Sequence, residues 1–212
     1  MSLNELIDFV GNLPLFEAEI LLAGVPDPAA VRVQLSRWVK AGKLIQLRRG
    51  LYALSERYRK TEIYEPYLAS TLVKPSYLSL EKALEYHSLI PEAVPTFTSV
   101  TTERPGRFTT SMGVFDYRHI QTSLFWGYQP ISVNKQTAFM AFPEKAILDL
   151  FYIRKPKVSS DYLEEMRFQN LSQLRLKKLL EYAARFKKKG ILRDAKLMEQ
   201  YSRSHKTVRK LL

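Results

Sequence analysis

The sequence predicts an α+β fold with two domains. Residues 1–58 are predicted to form a winged helix-turn-helix, and residues 59–212 a mixed domain with an antiparallel β-sheet and C-terminal helices. Two observations support this reading. A helical segment is followed at once by a cationic hairpin near the N-terminus, and a β-rich middle section is followed by basic amphipathic helices.

The helix before the hairpin has clear start and stop signals. Asp27 suits the N-cap, Pro28 the first helical position, and Gly42 the residue that ends the helix. At about 100° per residue, its apolar side should face the core. That side consists of Val31, Leu35, Trp38 and Val39. The opposite side is small and polar near its start and cationic near its end, which suits the major groove of DNA.

The hairpin follows over residues 43–54, where two apolar strands flank a turn. Gly50 can take the positive φ that a tight turn demands, and Arg48 and Arg49 should project from the tip toward a phosphate backbone or minor groove. The residues predicted to contact DNA are Arg32, Gln34, Ser36, Arg37, Lys40, Lys43, Arg48 and Arg49. The alternative is a solvated helix face beside an ordinary hairpin.

Two further helices should precede this unit. Asn4–Val10 is short and amphipathic, and Phe16–Ala23 is predicted to be the first helix of the helix-turn-helix pair. Residues 24–27 supply the turn, because Pro26 stops one helix and Asp27 starts the next.

Composition excludes several classes of chemistry. The chain of 212 residues has no cysteine, which excludes disulfides and cysteine nucleophiles and favours a reducing cytoplasm. Its three histidines lie far apart, so we expect no metal site, and no cofactor is predicted. No apolar run approaches the length of a membrane span.

The net charge of +12 is unevenly distributed. Residues 154–212 carry seventeen Lys/Arg against six Asp/Glu, a net +11, whereas residues 61–153 carry seven against nine. A polyanion is the expected partner of such a surface, and the alternative is a basic helical bundle whose charge only aids solubility. The possible second basic surface consists of Arg175, Lys178, Arg185, Lys187, Lys188 and Lys189.

The middle section reads as strands with helices packed against them. Residues 107–112 and 114–120 flank Gly113 as a hairpin, residues 124–133 and 137–142 are further strands, and a helix starts at Pro143. Three helices, at residues 161–168, 172–188 and 192–202, should finish the chain, with Gly190 separating the last two. The aromatic residues of this section could stack on bases, but core packing is the preferred interpretation, because a β-sheet core uses the same residues at the same spacing. These residues are Phe115, Tyr117, Phe125, Trp126 and Tyr128.

Catalytic interpretations are weak. Glu103, Asp116 and Glu144 could serve a metal-dependent nuclease, but Glu144 is better explained as a helix-start residue. His119 fits a structural hydrogen bond better than a general base. We therefore expect no enzymatic activity.

Five motifs in order resemble a known family. They are Arg49-Gly50-Leu51-Tyr52, the run from Ser76 to Glu92, Ser99-Val100-Thr101-Thr102, the run from Gly113 to Ile120, and the run from Pro143 to Leu150. This series is similar to that of the AbiEi antitoxins of type IV (AbiE) toxin–antitoxin systems, and it covers roughly residues 1–155.

The resemblance implies a repressor-antitoxin. Its winged helix-turn-helix would bind operator DNA, and its larger domain would counteract a nucleotidyltransferase-like toxin without a stable complex. Two alternatives remain open at this point: a nucleic-acid-processing enzyme, and a stand-alone regulator whose second domain binds a ligand or a partner.

Overall fold

A computed structural model describes residues 1–23 and 26–208, and the side chains as far as residue 205. Its contacts divide the chain into two compact units, Met1–Leu68 and Ala69–Leu212. The architecture is α+β, as predicted. The domain boundary placed between residues 58 and 59 stays a prediction about separable functions.

The first unit contains three helices, a three-stranded sheet and the start of a fourth helix. In chain order they are α1 Leu3–Val10, β1 Phe16–Glu17, α2 Glu19–Leu22, α3 Pro28–Lys40, β2 Leu44–Arg48, β3 Leu51–Leu54 and α4 Glu65–Leu72. The predicted helix at residues 4–10 is confirmed. Ser2 and Glu5 form a capping box at its start, which satisfies two amide groups that the helix itself leaves unpaired.

The predicted helix at residues 16–23 is wrong in its first part. Phe16 and Glu17 form strand β1, which pairs antiparallel with β3 in a sheet of order β1-β3-β2. The amide of Ala18 donates to the carbonyl of Gly50 at 2.7 Å, and the Phe16 ring stacks on Tyr52 with 5.9 Å between centroids. Pairing with the hairpin therefore decides the conformation here, and α2 is a single turn. Gly24 and Val25 of the predicted turn lie outside the described residues.

Helix α3 and its hairpin follow the sequence signals closely. The Asp27 carboxylate accepts from the amides of Ala29 and Ala30, and Gly42 ends the helix with a φ of +68°. Gly50 takes a φ of +81° in the hairpin turn. The predicted apolar side packs inward, since Leu35 and Trp38 are buried and the half-buried Val31 and Val39 pack against the same cluster. That core also contains Leu6, Val10, Phe16, Ala18, Leu21, Leu44 and Leu54.

The second unit combines a six-stranded sheet with helices. In chain order its elements are β4 Ser76–Leu78, α5 Leu80–Tyr86, β5 Thr96–Thr101, β6 Gly106–Thr110, β7 Gly113–His119, β8 Tyr128–Val133, β9 Gln136–Ala141, α6 Pro143–Arg154, α7 Ser160–Glu165, α8 Leu176–Arg185 and α9 Lys189–Val208. Short 3-10 turns lie at Thr122–Leu124 and Leu171–Gln173. The predicted hairpin strands at residues 107–112 and 114–120, the strand at residues 137–142 and the helix starting at Pro143 are confirmed with small shifts of their ends. The strand predicted over residues 124–133 is confirmed only from Tyr128 onward, because the chain forms a 3-10 turn at Thr122–Leu124 before it.

The sheet is mixed, which corrects the predicted antiparallel sheet. Its strand order is β6-β7-β5-β4-β9-β8, and both β5–β7 and β4–β9 pair in parallel. The central pair β4–β5 and the two hairpins, β6–β7 and β8–β9, are antiparallel. Each hairpin places its second strand, rather than its first, against the central pair. A hairpin sequence predicts its internal pairing but not which of its strands joins the rest of the sheet.

The three C-terminal helices are present, but Gly190 does not separate the last two. It lies in the first turn of α9, which starts at Lys189. The break is instead formed by Phe186, Lys187 and Lys188, where Lys187 takes a left-handed φ of +52°. The amides of Phe186 and Lys187 donate to the carbonyls of Ala183 and Ala184 and so complete the last turn of α8.

Candidate nucleic-acid interface

The outer face of α3 carries the cationic and polar residues that the sequence predicts there. Arg32, Ser36, Arg37 and Lys40 are exposed, and Gln34 is half-buried. Ser36, Arg37 and Lys40 lie opposite Leu35 and Trp38, whose burial fixes the rotation of the helix about its axis. Arg32 and Gln34 lie at the margins of the apolar face. The structure thus brings these residues onto one solvent-facing helix surface. Their contact with DNA stays a prediction.

The hairpin tip holds its two arginines differently. Arg49 is exposed, whereas Arg48 is half-buried and places Nη2 2.9 Å from Glu17 Oε1. Arg48 Nη1 also donates to the carbonyl of Arg49 at 3.0 Å. Lys43 is half-buried just after α3, and its amide donates to the carbonyl of Trp38 at 2.9 Å. Arg48 therefore ties the hairpin to β1, and Arg49 is the open cation of the turn.

Two carboxylates beside the hairpin were not predicted from the sequence. Glu17 holds Arg48, and the carboxylate of Glu19 lies 3.7 Å from where a Cβ on Gly50 would stand. Both lie in the stretch that the sequence predicts as helix. A strand of two residues has no periodicity to detect, so only the pairing of β1 with β3 places these acids next to the turn.

The second unit contains a buried ionic cluster centred on α6. The Lys145 ammonium donates to Asp149 Oδ1 and, at 2.9 Å, to the Tyr77 hydroxyl. Asp149 Oδ2 accepts from the hydroxyls of Tyr77 and Ser79 at 2.9 and 2.8 Å. Burial lowers the pKa of Lys145 and raises the pKa of Asp149, and the ion pair between them opposes both shifts. Every member is fully buried, so the cluster stabilises the join between sheet and helix.

The predicted second basic surface is partly engaged by its own surroundings. Lys178 Nζ lies 3.6 Å from the Phe142 ring centroid and 3.6 Å from Glu144 Oε2. The guanidinium of Arg185 lies 3.7 Å from the centroid of the Trp126 ring. Arg175, Lys187, Lys188 and Lys189 are exposed, and Lys188 Nζ is 5.3 Å from the Tyr152 ring centroid.

Comparison with known families identifies part of this arrangement. A family of transcriptional regulators described as AbiEi antitoxins matches residues 18–55. Over these residues, the chain is similar to the AbiEi antitoxin family. No match was found among curated proteins.

The AbiEi segment covers the elements that present the cations of the first unit. It starts at Ala18, includes α2, α3, β2 and β3, and ends just after the hairpin at Ser55. All eight residues predicted to contact DNA lie inside it. The family is described as one of transcriptional regulators, which agrees with the reading of the motifs.

The residues considered for catalysis have structural partners. Asp116 Oδ2 lies 2.8 Å from Arg118 Nε, and His119 Nδ1 lies 3.1 Å from the carbonyl oxygen of Glu103. Glu144 accepts from the amide of Arg175 at the start of α8 at 2.9 Å. In the described parts of the chain, no three His, Asp or Glu residues are grouped as a metal ion would require. Within the same residues, no helix combines the length and apolarity needed to cross a bilayer.

Proposed function

We propose that this chain is a DNA-binding transcriptional repressor and an antitoxin of a type IV AbiE system. In this proposal, residues 1–58 act as a winged helix-turn-helix that binds the operator and autoregulates the operon. Residues 59–212 counteract a nucleotidyltransferase-like toxin without forming a stable complex. The observation that carries the proposal is the exposed cationic face of α3 next to the Arg49 turn, all within the AbiEi segment.

The role of each residue follows from its position. Arg37, in the last turns of α3, is assigned to a base edge in the major groove, and Lys40 to the phosphate backbone. Arg49, exposed at the turn, is assigned to a neighbouring phosphate. Arg48 positions the hairpin through Glu17 and contributes less charge to the DNA than its neighbour does.

Operator binding by single variants tests this assignment. Arg37→Ala should weaken operator binding by about 1–3 kcal/mol and relax the sequence preference. Arg49→Ala should weaken binding to all sequences and reduce the slope of log affinity against log salt by about 0.9. Arg57→Ala is the matched control, because Arg57 is exposed and lies outside the AbiEi segment. Gel-shift titrations in which all three variants bind like the parent protein would exclude this DNA-reading surface.

Full-length variants also test the division of labour. Arg37→Ala/Arg49→Ala should abolish repression of a reporter but still rescue cells from the cognate toxin. A protein that loses rescue together with repression would contradict the assignment of the antitoxin role to the second unit.

The second basic surface is proposed to contact DNA that flanks the operator. Changing Lys187, Lys188 and Lys189 to glutamate should reduce affinity for long DNA more than affinity for a minimal operator. Equal loss for both lengths would leave this surface without a role in flanking contacts.

A further inference from the structure

An open groove lies at the C-terminal end of α8 in the second unit. It has a volume of about 530 Å³, within the range of small-molecule sites. One wall comes from the 3-10 turn after β7 and the other from the residues that separate α8 from α9. Its lining consists of Gln121, Ser123, Leu124, Trp126, Arg185, Phe186, Lys187 and Lys188.

An aromatic side chain and a guanidinium are stacked in this groove. Arg185 lies 3.7 Å above the Trp126 ring, and Trp126 is held in turn by a hydrogen bond from Nε1 to the Ser123 carbonyl at 3.1 Å. The rings of Tyr182 and Phe186 pack edge-on against Trp126. The side chain of Arg185 is nevertheless exposed. One side of the guanidinium is therefore covered, while its open side forms a preoriented platform on which a planar group can stack.

The charged side chains that line the groove are all cations. None of its lining residues is acidic, and in the described structure Arg185, Lys187 and Lys188 form no ion pair. The left-handed turn at Lys187 leaves both lysines exposed at the rim. Beneath the groove, Lys145 Nζ lies 5.0 Å from the Trp126 centroid, but Asp149 compensates its charge. The available positive charge thus stands at the rim, beside the stacking platform.

We propose that this groove binds an unpaired nucleotide, with its base stacked on Arg185 and its phosphate held by Lys187 and Lys188. Gln121 and Ser123 supply polar groups for the edge of the base. Guanidinium or aromatic stacking combined with flexible cations is how proteins bind single-stranded nucleic acid. A base inside a duplex is already stacked on both faces, so double-stranded DNA does not satisfy this platform.

A second groove indicates how a longer ligand would continue. It has a volume of about 270 Å³, shares Lys188 with the first groove, and is also lined by Tyr152, Lys155 and Asp194. The carboxylate of Asp194 pairs with Arg193 at 2.7 Å. A neighbouring nucleotide of a single strand would find a ring and a cation there. The chemistry is shared by a free nucleoside triphosphate and by a single strand of RNA, and the experiment distinguishes them.

The test measures binding of the full-length protein to a fluorescent single-stranded RNA oligonucleotide and to a fluorescent GTP, by fluorescence anisotropy. The variant Arg185→Gln/Lys187→Gln/Lys188→Gln should bind the RNA at least about tenfold more weakly, since stacking and phosphate contacts are both lost. The control, Lys157→Gln/Lys177→Gln/Lys196→Gln, removes three exposed cations that line neither groove. It should stay within about twofold of the parent protein.

An abasic strand of the same length separates stacking from charge, and it should bind about tenfold more weakly than the normal strand. Tight binding of GTP would identify a mononucleotide ligand, and RNA binding alone would identify a strand; either supports the groove. If Arg185→Gln lowers stability, Lys187→Gln/Lys188→Gln repeats the test with exposed positions only.

Two results would overturn the inference: equal weakening in the two triple variants, or equal affinity for normal and abasic strands. The inference shares its lysines with the proposed flanking contact but does not depend on it. Operator binding through Arg37 and Arg49 is a separate measurement on the other unit, so each proposal can fail alone.

Discussion

The two cation-rich regions of this protein hold their charges in different ways. On α3 and its hairpin, Arg32, Arg37, Lys40 and Arg49 are exposed to solvent. Among the residues that the structure describes, Arg48 is the one predicted DNA contact that forms an ion pair. Around α6 and α8, by contrast, three cations contact aromatic rings or carboxylates. Lys145 is buried with Asp149, Lys178 lies on Phe142 beside Glu144, and Arg185 lies on Trp126.

The difference shows that net charge is a poor measure of available charge. Residues 154–212 have a formal net charge of +11, against +3 for residues 1–60. Yet within the described structure Lys178, Arg193 and Arg203 already face Glu144, Asp194 and Glu199. The first region therefore offers more open cations than its net charge suggests. In the second region, ring contacts determine the direction in which charge is presented.

The largest expected effect concerns the buried pair of the second region. Asp149→Ala should lower the free energy of unfolding by about 3–5 kcal/mol, because it leaves the Lys145 ammonium buried without its counter-charge. Urea denaturation followed by circular dichroism measures the loss. The double variant Lys145→Met/Asp149→Leu should lose less stability than the sum of the losses caused by Lys145→Met alone and Asp149→Leu alone. Each single variant leaves one charge buried without its partner, whereas the double variant leaves no buried charge. Additive losses would show that the pair is not coupled.

A smaller loss of stability should distinguish a cation that contacts an aromatic ring from an exposed cation on the same helix. Lys178→Met should cost about 1–2 kcal/mol, because it removes the contact with Phe142 and the ion pair to Glu144 Oε2. That oxygen is buried and already accepts no hydrogen bond, so it depends on the nearby ammonium. The exposed neighbour Lys177 is the matched control, and Lys177→Met should cost less than about 0.5 kcal/mol. Thermal unfolding of both variants makes the comparison. Equal losses of stability in Lys178→Met and Lys177→Met would show that the contact of Lys178 with the ring and the carboxylate does not stabilise the fold.

In the first region, Glu17→Gln should cost only about 0.2–1 kcal/mol, as expected of a partly exposed ion pair. The same change frees Arg48, so DNA affinity should rise and the salt dependence should steepen by about 0.9. Salt titrations of operator binding test this. Glu56→Gln is the control, because Glu56 is exposed and the substitution removes the same negative charge at a position away from the turn. An equal gain in affinity for both variants would indicate a general charge effect.

The smallest effect is a pH dependence in the second unit. Burial lowers the pKa of His87 below its ordinary value near 6.5, although its hydrogen bond to the Ala141 carbonyl and the nearby Glu144 oppose the shift. The unfolded chain therefore binds a proton more readily than the folded one. Stability is unaffected by this group above pH 6.5 and falls as the pH drops below that value toward the folded pKa.

His87→Gln keeps a donor for the Ala141 carbonyl but cannot titrate. Its unfolding temperature should fall less between pH 6.5 and 5 than that of the parent protein. Parallel curves for the two proteins would show that other groups control stability in this window.

The sequence alone predicted the elements that depend on local chemistry. Asp27, Pro28, Gly42 and Gly50 specify the ends of α3 and the hairpin turn through capping and positive φ, and the structure confirms them. The apolar spacing of α3 likewise determined which face is buried. The same local signals gave the strands, and Pro143 gave the start of α6.

Tertiary structure decided what depends on partners distant in the chain. Phe16 and Glu17 became a strand because β3 was available to pair with them, and this pairing placed Glu17 on Arg48. The sheet became mixed because each hairpin joined the central strands through its second strand. The side chain of Lys145 is buried against Tyr77 and Asp149, which lie on different elements of the second unit. Burial and pairing are properties of the packed chain, so no local pattern encodes them.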